Sequence, residues 1–547
     1  MAVQTRALDQ AVFSHVGYPR ASFVLNQNLA GAMTLYGRGN IRRSLIDTIA
    51  FRAVSQISTL VGYVILVRGM PVKDFGVYSL LYAFLPVVSL VASFGLEPVL
   101  RRYQPEYLRA GNTAAAGWLM RVVSSSRFIA NLLVLGAILL AWNYVAPLFK
   151  LLPYRSVFGA FSLLIILYFQ ASLLQAALGA HMLHRYGVGG AAALSLTKLA
   201  AYYTLFRTHT FSLETAIFAD TLAYAITYTF LRVAYQRYCV VRGASARFRP
   251  DPAERKRLFR YALLNNFNDA GVLLLYSTLD SFFIAAFVST TAVGIYSFYN
   301  RLKQMVSTAM PVAVFENVIR PLFFSVRPAD ADAKMPHYFS FLINMNLLLL
   351  WPALALATAY HAEIVQVAFG GKFVEYSWML PLVMGFALMN TISEPTNLIA
   401  QYEEKSGIIL LSKLFAIYNL LAMAALVPFA GIYGAALAAG TAQLLKNAFI
   451  WWHIRRRAVW TNWRSVIWVS MPIWSLTIGI CIGLKNAVPV PAIGQLLIGL
   501  TVIAAVALVH ARSAAISSSD RTILAAIAPG KAARALQYIG LTARPGR

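Results

Sequence analysis

Apolar residues run along most of the chain in stretches of about 18–26, long enough for a helix to cross about 30 Å of hydrocarbon. Short basic or Pro/Gly-rich segments separate the runs, as loops separate helices. The pattern predicts about fourteen membrane helices, at 44–67, 75–100, 124–148, 156–179, 187–206, 213–236, 260–287, 291–318, 338–360, 376–399, 406–427, 430–452, 465–486 and 490–511. An all-α integral membrane fold follows.

Lys and Arg alternate with these spans. One side receives the N-terminal segment, Arg101, Arg102, Arg109, Arg185, the stretch Arg237 to Arg260, Arg320, Arg327, Lys334, Lys405, Arg455, Arg456, Arg457, Arg464 and the C-terminal segment. The other receives Arg68, Lys73, Lys150, Arg155, Arg207, Lys372 and Lys485. The split is about thirty to about seven, and the positive-inside rule places the rich side, with both termini, in the cytoplasm. A miscounted span would invert every later loop, so the regularity supports an even count. The first forty residues carry no apolar core followed by a small-residue cleavage site, and no cleaved signal peptide is expected.

Composition narrows the class further. Among 547 residues, 59% are hydrophobic and 12% charged, with a formal net charge of +27. No soluble core absorbs that much apolar surface, and the excess charge sits in loops, where it reads as topology and not as a nucleic-acid surface. Cys239 and Cys481 lie on different spans without ligand or redox spacing. The chain shows no phosphate-binding Gly-rich loop, no His-Glu-x-x-His and no sizeable extramembrane domain, so no enzyme, cofactor or metal centre is expected. His181 and His184 read as a solvated turn.

An internal repeat divides the chain. Gly76-Val77-Tyr78-Ser79 opens the second span and Gly294-Ile295-Tyr296-Ser297 opens the eighth, an offset of about 218 residues. The far ends of the same spans match with a one-residue slip, as Glu97-Pro98-Val99-Leu100-Arg101 and Glu316-Asn317-Val318-Ile319-Arg320. Two six-helix lobes related by a parallel repeat are expected at 44–236 and 260–452. A basic cytoplasmic linker at 237–259 would join them, with a C-terminal helix pair at 465–511 and tails at 1–43 and 512–547.

Ionisable groups inside hydrocarbon cost a few kcal/mol or more, so each is a candidate for a cavity, an ion path or an internal pair. Arg52, Gln56, Thr59 and Tyr63 form one stripe on the first span, and Asp220, Tyr224 and Arg232 another on the sixth. Lys198 and Tyr202 share a face of the fifth. In the second lobe, Asn265, Asp269, Tyr276 and Asp280 mark the seventh span, Arg301 and Lys303 the eighth, and Asn390, Glu394, Asn397 and Gln401 the tenth. Arg301 and Lys303, two residues apart, point to different sides, and Arg301 is favoured for a shared cavity. Asp280 and Arg301 have comparable depth on successive helices, so an ion pair that only holds the hairpin is an equal reading. Arg121 and Arg127 are expected to snorkel from the start of the third span. For Lys413 and Lys446, deeper in a C-terminal helix pair, snorkelling or contact with the main bundle is an equal reading to substrate contact. Basic and apolar residues at 521–540 could lie on the inner leaflet, but Pro529-Gly530 interrupts them.

The stretch LVRGMPVKDFGVYSLLYAFLPVVSLVASFGLEPVLRRYQPEYLRAGN, with TAVGIYSFYNRLKQ and VPFAGIYGAALAAGTAQLL, resembles the polysaccharide transporter branch of the multidrug/oligosaccharidyl-lipid/polysaccharide exporter superfamily. It is similar to Wzx-type lipid-linked oligosaccharide flippases over residues 42–455. The resemblance implies two lobes in a V, in a bacterial inner membrane, moving a polyprenyl-diphosphate-linked oligosaccharide to the periplasmic leaflet by alternating access. An anionic head needs a cationic, wet lumen. Arg52, Gln56, Lys198, Arg301 and Lys303 are the candidates to line it, with Arg52 and Arg301 on the diphosphate. Asp220, Asp269, Asp280, Glu394 and Asn397 are candidates for sugar contacts or for coupling to a proton or sodium gradient or to the membrane potential. A polysaccharide polymerase and a chain-length regulator are the implied partners, besides membrane lipids. The competing readings are a lipid II flippase, a drug/cation antiporter and a non-transporting scaffold of a polysaccharide assembly complex. A membrane glycosyltransferase would need a large hydrophilic loop, which the sequence lacks.

Overall fold

A computed structural model describes residues 38–181, 183–239, 248–275, 278–308, 331–454, 463–512 and 520–521. Most of the two predicted tails, the centre of the basic linker and the far end of the eighth span, with its Glu316 to Arg320 motif, lie outside the described residues. So does the amphipathic segment, apart from Arg521.

Among the described residues the secondary structure is entirely helical. The first lobe contains α1 (Arg38–Gly69), α2 (Val72–Ser93), α3 (Leu96–Arg109), α4 (Thr113–Leu140), α5 (Arg155–Ala180), α6 (His184–Arg207) and α7 (Leu213–Tyr238). The second contains α8 (Pro252–Leu275), α9 (Thr278–Phe287), α10 (Thr290–Thr308), α11 (Ala331–Ala359), α12 (His361–Phe369), α13 (Met379–Met389), α14 (Ser393–Tyr402), α15 (Ser406–Leu411) and α16 (Phe415–Ile454). The peripheral pair is α17 (Trp463–Ala487) and α18 (Ala492–Arg512). Seven helical stretches are long and apolar enough to cross a membrane by length and composition alone. The remaining predicted spans coincide with helices that are charged, broken or only partly described.

Local chemistry sets several boundaries. The Asn112 side chain accepts from the Ala115 N–H at the start of α4, and Ser212 with Thr215 forms a capping box at the start of α7. The second predicted span is not continuous. Phe94 and Gly95 both adopt left-handed backbone, and the Gly95 N–H turns back to Ser93 Oγ at 3.2 Å. A Cβ on Gly95 would collide with the Ala262 carbonyl of α8, so this break is also a point of close approach between lobes. Gly431, at φ 54°, separates the two halves of α16.

The largest buried core is shared by the two lobes, running from Leu66 and Phe75 of the first to Phe298 and Val427 of the second. In the first, α1 packs along α6, and α7 lies between α5 and α6. Arg127 does not snorkel: it is 1% exposed, stacks over the Phe169 ring at 4.2 Å and donates to Ser89 at 3.0 Å. In the second, Lys413 reaches the main bundle, its side chain lying against Gly271 of α8. The peripheral pair docks on α11 and α12 through Trp474, Tyr360 and Ile503, and Lys485 pairs with Glu363 at 2.6 Å. Phe218, Leu421, Phe429, Leu497 and Val509 remain exposed, as helices in contact with lipid require.

Candidate functional site

The first lobe encloses one carboxylate completely. Asp220 of α7 has no exposed surface, and four side chains from other positions converge on it. Tyr202 Oη donates to Oδ1 at 2.5 Å, Tyr78 Oη to Oδ2 at 2.7 Å, and Tyr82 Oη also to Oδ2. Lys198 Nζ stands 3.0 Å from Oδ1, 3.2 Å from Tyr82 Oη and 4.9 Å from the Tyr224 ring centre. A buried carboxylate is tolerable only with such partners. Asp220 and Lys198 are therefore brought together as expected of neighbours on adjacent helices. Lys198 retains some exposure, so it alone of the pair reaches the surface of the lobe.

The second lobe is built differently. Asp280 of α9 is fully buried and accepts from Tyr296 Oη at 2.5 Å, while its Oδ1 has no hydrogen-bond partner. The hairpin ion pair between Asp280 and Arg301 does not form; Arg301 donates to Gln304 at 2.7 Å. Arg301 follows Tyr296 by five residues, about 140° around α10, so the face that brings Tyr296 to Asp280 turns Arg301 away from it. Lys303 instead lies within electrostatic reach of Asp280, as Lys413 does of Asp269 and Lys446 of Glu394. Three sequence-predicted carboxylates thus each face a lysine of their own lobe. Asn397 is half-buried on α14, close in sequence to Glu394.

Between the lobes, one end is packed shut, and at the other α1 and α10 carry exposed side chains. At the end poor in basic residues, Gly76 of α2 meets Thr290 and Gly294 of α10 backbone to backbone. Tyr63, Phe75, Phe298, Phe369 and Phe373 pack there as rings 4.6–6.4 Å apart. Two cations exchange helix ends across this seal. Arg68 donates to the carbonyls of Ala368 at 2.9 Å and Val367 at 2.5 Å, at the C-terminus of α12. Lys372 donates to Val67, Arg68 and Met70 at 3.1, 2.6 and 2.8 Å, at the C-terminus of α1. Each satisfies carbonyls that a helix end leaves without partners and meets the negative end of a dipole. Lys150 adds a third crossing, to the Val288 carbonyl at 2.6 Å.

Toward the end rich in basic residues the facing helices become exposed. Residues 51–57 of α1 are exposed except Ser55, which is half-buried. On α10, residues 292–299 are mostly buried, whereas Arg301, Gln304 and Thr308 are exposed. Arg52 and Gln56 stand on the first of these surfaces and Arg301 on the second. Arg301 acts electrostatically on Tyr63 and Tyr224 of the first lobe, so it faces that lobe across the gap. Lys198 lies over the same Tyr224 ring. At this end the lobes meet along α8, which packs on both α2 and α3; there Arg257 donates to Glu106 at 2.8 Å and Tyr107 to Glu254 at 2.6 Å.

Tyr78 and Tyr82 escaped the sequence reading as site residues, although Tyr78 lies inside the repeated motif that marked the spot. Arg68, Lys150 and Lys372 were visible only as sparse loop charges, because a cation that caps a distant helix leaves no local spacing to read.

A family model described as polysaccharide biosynthesis protein matches residues 65–378. No curated protein matches the chain. Among solved structures, the lipid II flippase MurJ in an inward closed conformation superposes with a TM-score of 0.62 at 10% identity, over 85% of this chain and 99% of that one. An inward-facing multidrug resistance MATE family transporter of the MOP superfamily gives a TM-score of 0.59 at 12% identity, over 75% of this chain and 98% of that one. At such identities the likeness is one of fold, and the fold is that of a multi-pass membrane transporter.

Proposed function

We propose, from the premise that the chain belongs to the polysaccharide biosynthesis protein family, that it flips a lipid-linked oligosaccharide with a diphosphate head between membrane leaflets. The observation that carries this reading is the exposure of Arg52 on α1 and Arg301 on α10, one on each lobe, toward the end rich in basic residues. An arginine facing lipid at this depth is costly, so both belong to a wet cavity. Two guanidiniums on opposite lobes suit a diphosphate bound between them, since each presents a planar fork to phosphate oxygens. Lys198 adds charge beside Tyr224, and Gln56 adds an amide on the α1 stripe. A lipid tail would stay in the bilayer while the head crosses.

On this reading the side rich in Lys and Arg together faces the cytoplasm of a bacterial inner membrane, and the sealed side faces the periplasm. The lobes would alternate by releasing the Arg68 and Lys372 crossings and closing around α1 and α10. Asp280 is the favoured coupling carboxylate, because one of its oxygens has no partner whereas Asp220 is saturated. Glu394, Asn397 and Asp269 would serve the sugar or the ion. A polymerase and a chain-length regulator are the natural consumers of the product.

The test is leaflet-resolved flipping of defined lipid-linked sugars in proteoliposomes, with lipid II and a cationic dye as competing cargoes. Flipping of the oligosaccharide, lost in Arg301→Ala, supports the reading. Dye transport with no lipid-linked sugar moved would overturn it, and lipid II alone would reassign the cargo.

A further inference from the structure

A second polar cavity lies outside the interlobe cleft. It has a volume of about 530 Å³ and is bounded by the end of α3, the start of α4 and the ends of α5 and α7. Every lining residue falls between Leu108 and Cys239, so the first lobe builds it alone. Arg121, Arg232 and His181 line it with the hydroxyls of Ser125, Tyr228 and Tyr235, and among the described residues no Asp or Glu does. Positive groups gathered without a carboxylate are poised for an anion.

Their donors are largely unspent. Arg121 makes no hydrogen bond or ion pair to a described residue, and Arg232 donates only to Tyr228 Oη, at 3.2 Å. Ser124 and the buried Gln170 lock each other at 2.7 and 3.1 Å, which gives the cavity a fixed polar wall. Thr113 and Ala114 bring the first turn of the 28-residue α4 to the rim, and its positive dipole end adds to the arginines. Arg121 therefore does more than snorkel. Leu108, Met120 and Leu174 supply an apolar side, and the volume suits a headgroup-sized ligand.

We propose that this cavity binds a phosphate group, carried by an anionic phospholipid headgroup or by a small soluble phosphorylated compound. Guanidinium forks and tyrosine hydroxyls are the donors that phosphate oxygens take best. The cavity lies at the end rich in basic residues, where an anionic leaflet surface would deliver such headgroups. It shares no residue with the Arg52 and Arg301 cleft, so it stands whether or not the flippase reading does.

The experiment uses the full chain in phosphatidylcholine nanodiscs doped with phosphatidylglycerol, with retained lipid read by native mass spectrometry. A parallel titration with inorganic pyrophosphate is read by calorimetry. Wild-type protein should bind at least one probe, and Arg121→Gln with Arg232→Gln should weaken it at least about tenfold, while Arg207→Gln at the opposite end should not. Phosphatidylglycerol alone identifies a lipid, pyrophosphate alone a soluble ligand, and both a general phosphate pocket. Should the double variant fail to fold, Ser125→Trp fills the cavity with both arginines kept and must abolish binding. Binding of neither probe by the wild type, or equal binding by a folded double or Ser125→Trp variant, overturns the proposal.

Discussion

Gly294 lies so close to Gly76 that a Cβ placed on it would stand 2.9 Å from the Gly76 Cα. The two residues occupy equivalent places in the repeated Gly-x-Tyr-Ser motif, so the repeat meets itself where the lobes touch. The two motif tyrosines then turn into their own lobes, Tyr78 to Asp220 and Tyr296 to Asp280. One short sequence thus supplies both the contact between lobes and a ligand for the buried carboxylate in each.

Gly76→Ala should push α2 and α10 apart, because the new methyl would meet the Thr290 carbonyl, which is backbone and cannot rotate away. Overpacking of this kind costs about 1–3 kcal/mol. The sealed state should lose population accordingly, seen as a longer spin-label distance between α1 and α12. An unchanged distance distribution would show that the glycines are not what sets the approach.

Much of this arrangement is legible in the sequence, for a physical reason. Spans and charge alternation are imposed by the bilayer locally, residue by residue, so the helices and the repeat can be read in one dimension. Buried partners are set by packing between distant segments. The stripe on α7 identified Asp220, but nothing in its spacing announced Tyr82 from α2. Arg127 read as a snorkelling residue from its place near a helix start, yet the bundle closes over it and offers the Phe169 face. Arg301 and Asp280 matched in depth and still missed each other, since depth fixes neither helix rotation nor partner.

The exchange of helix ends by Arg68 and Lys372 should stabilise the sealed state. Lys372→Met removes three donated hydrogen bonds and leaves the carbonyls of Val67, Arg68 and Met70 without them. A net loss of about 1–3 kcal/mol is expected, which shifts the sealed-to-open ratio about 5- to 150-fold. A cysteine introduced at the seal should react faster with an impermeant thiol reagent added from the sealed side. Equal labelling rates in wild type and variant would remove the latch role.

The crossing at the opposite end should behave differently. Arg257 and Glu106 are both substantially exposed, so their 2.8 Å pair should contribute only about 0.2–1 kcal/mol and weaken with salt. Arg257→Gln should leave the melting temperature nearly unchanged. A loss comparable to that of Lys372→Met would mean that α3 and α8 form a second true seal.

Asp220 offers the sharpest separation of structural from transport roles. Its carboxylate accepts from three tyrosines and faces Lys198 with no exposed surface, so Asp220→Asn keeps one acceptor oxygen and turns an amide donor toward groups that also donate. Lys198 then becomes a half-buried charge without its counterion. Breaking one side of such a pair costs about 3–5 kcal/mol. Lys198→Met leaves Asp220 its three hydroxyl donors and should destabilise the lobe less, while lowering flipping through loss of charge beside Tyr224. Combining the two substitutions should recover part of the stability lost in Asp220→Asn, because no unpaired cation remains. Thermal denaturation of the three variants, alongside the flipping assay, checks the order. If Asp220→Asn melts with the wild type, the cluster is not a structural anchor, and Asp220 returns to the pool of coupling carboxylates with Asp280.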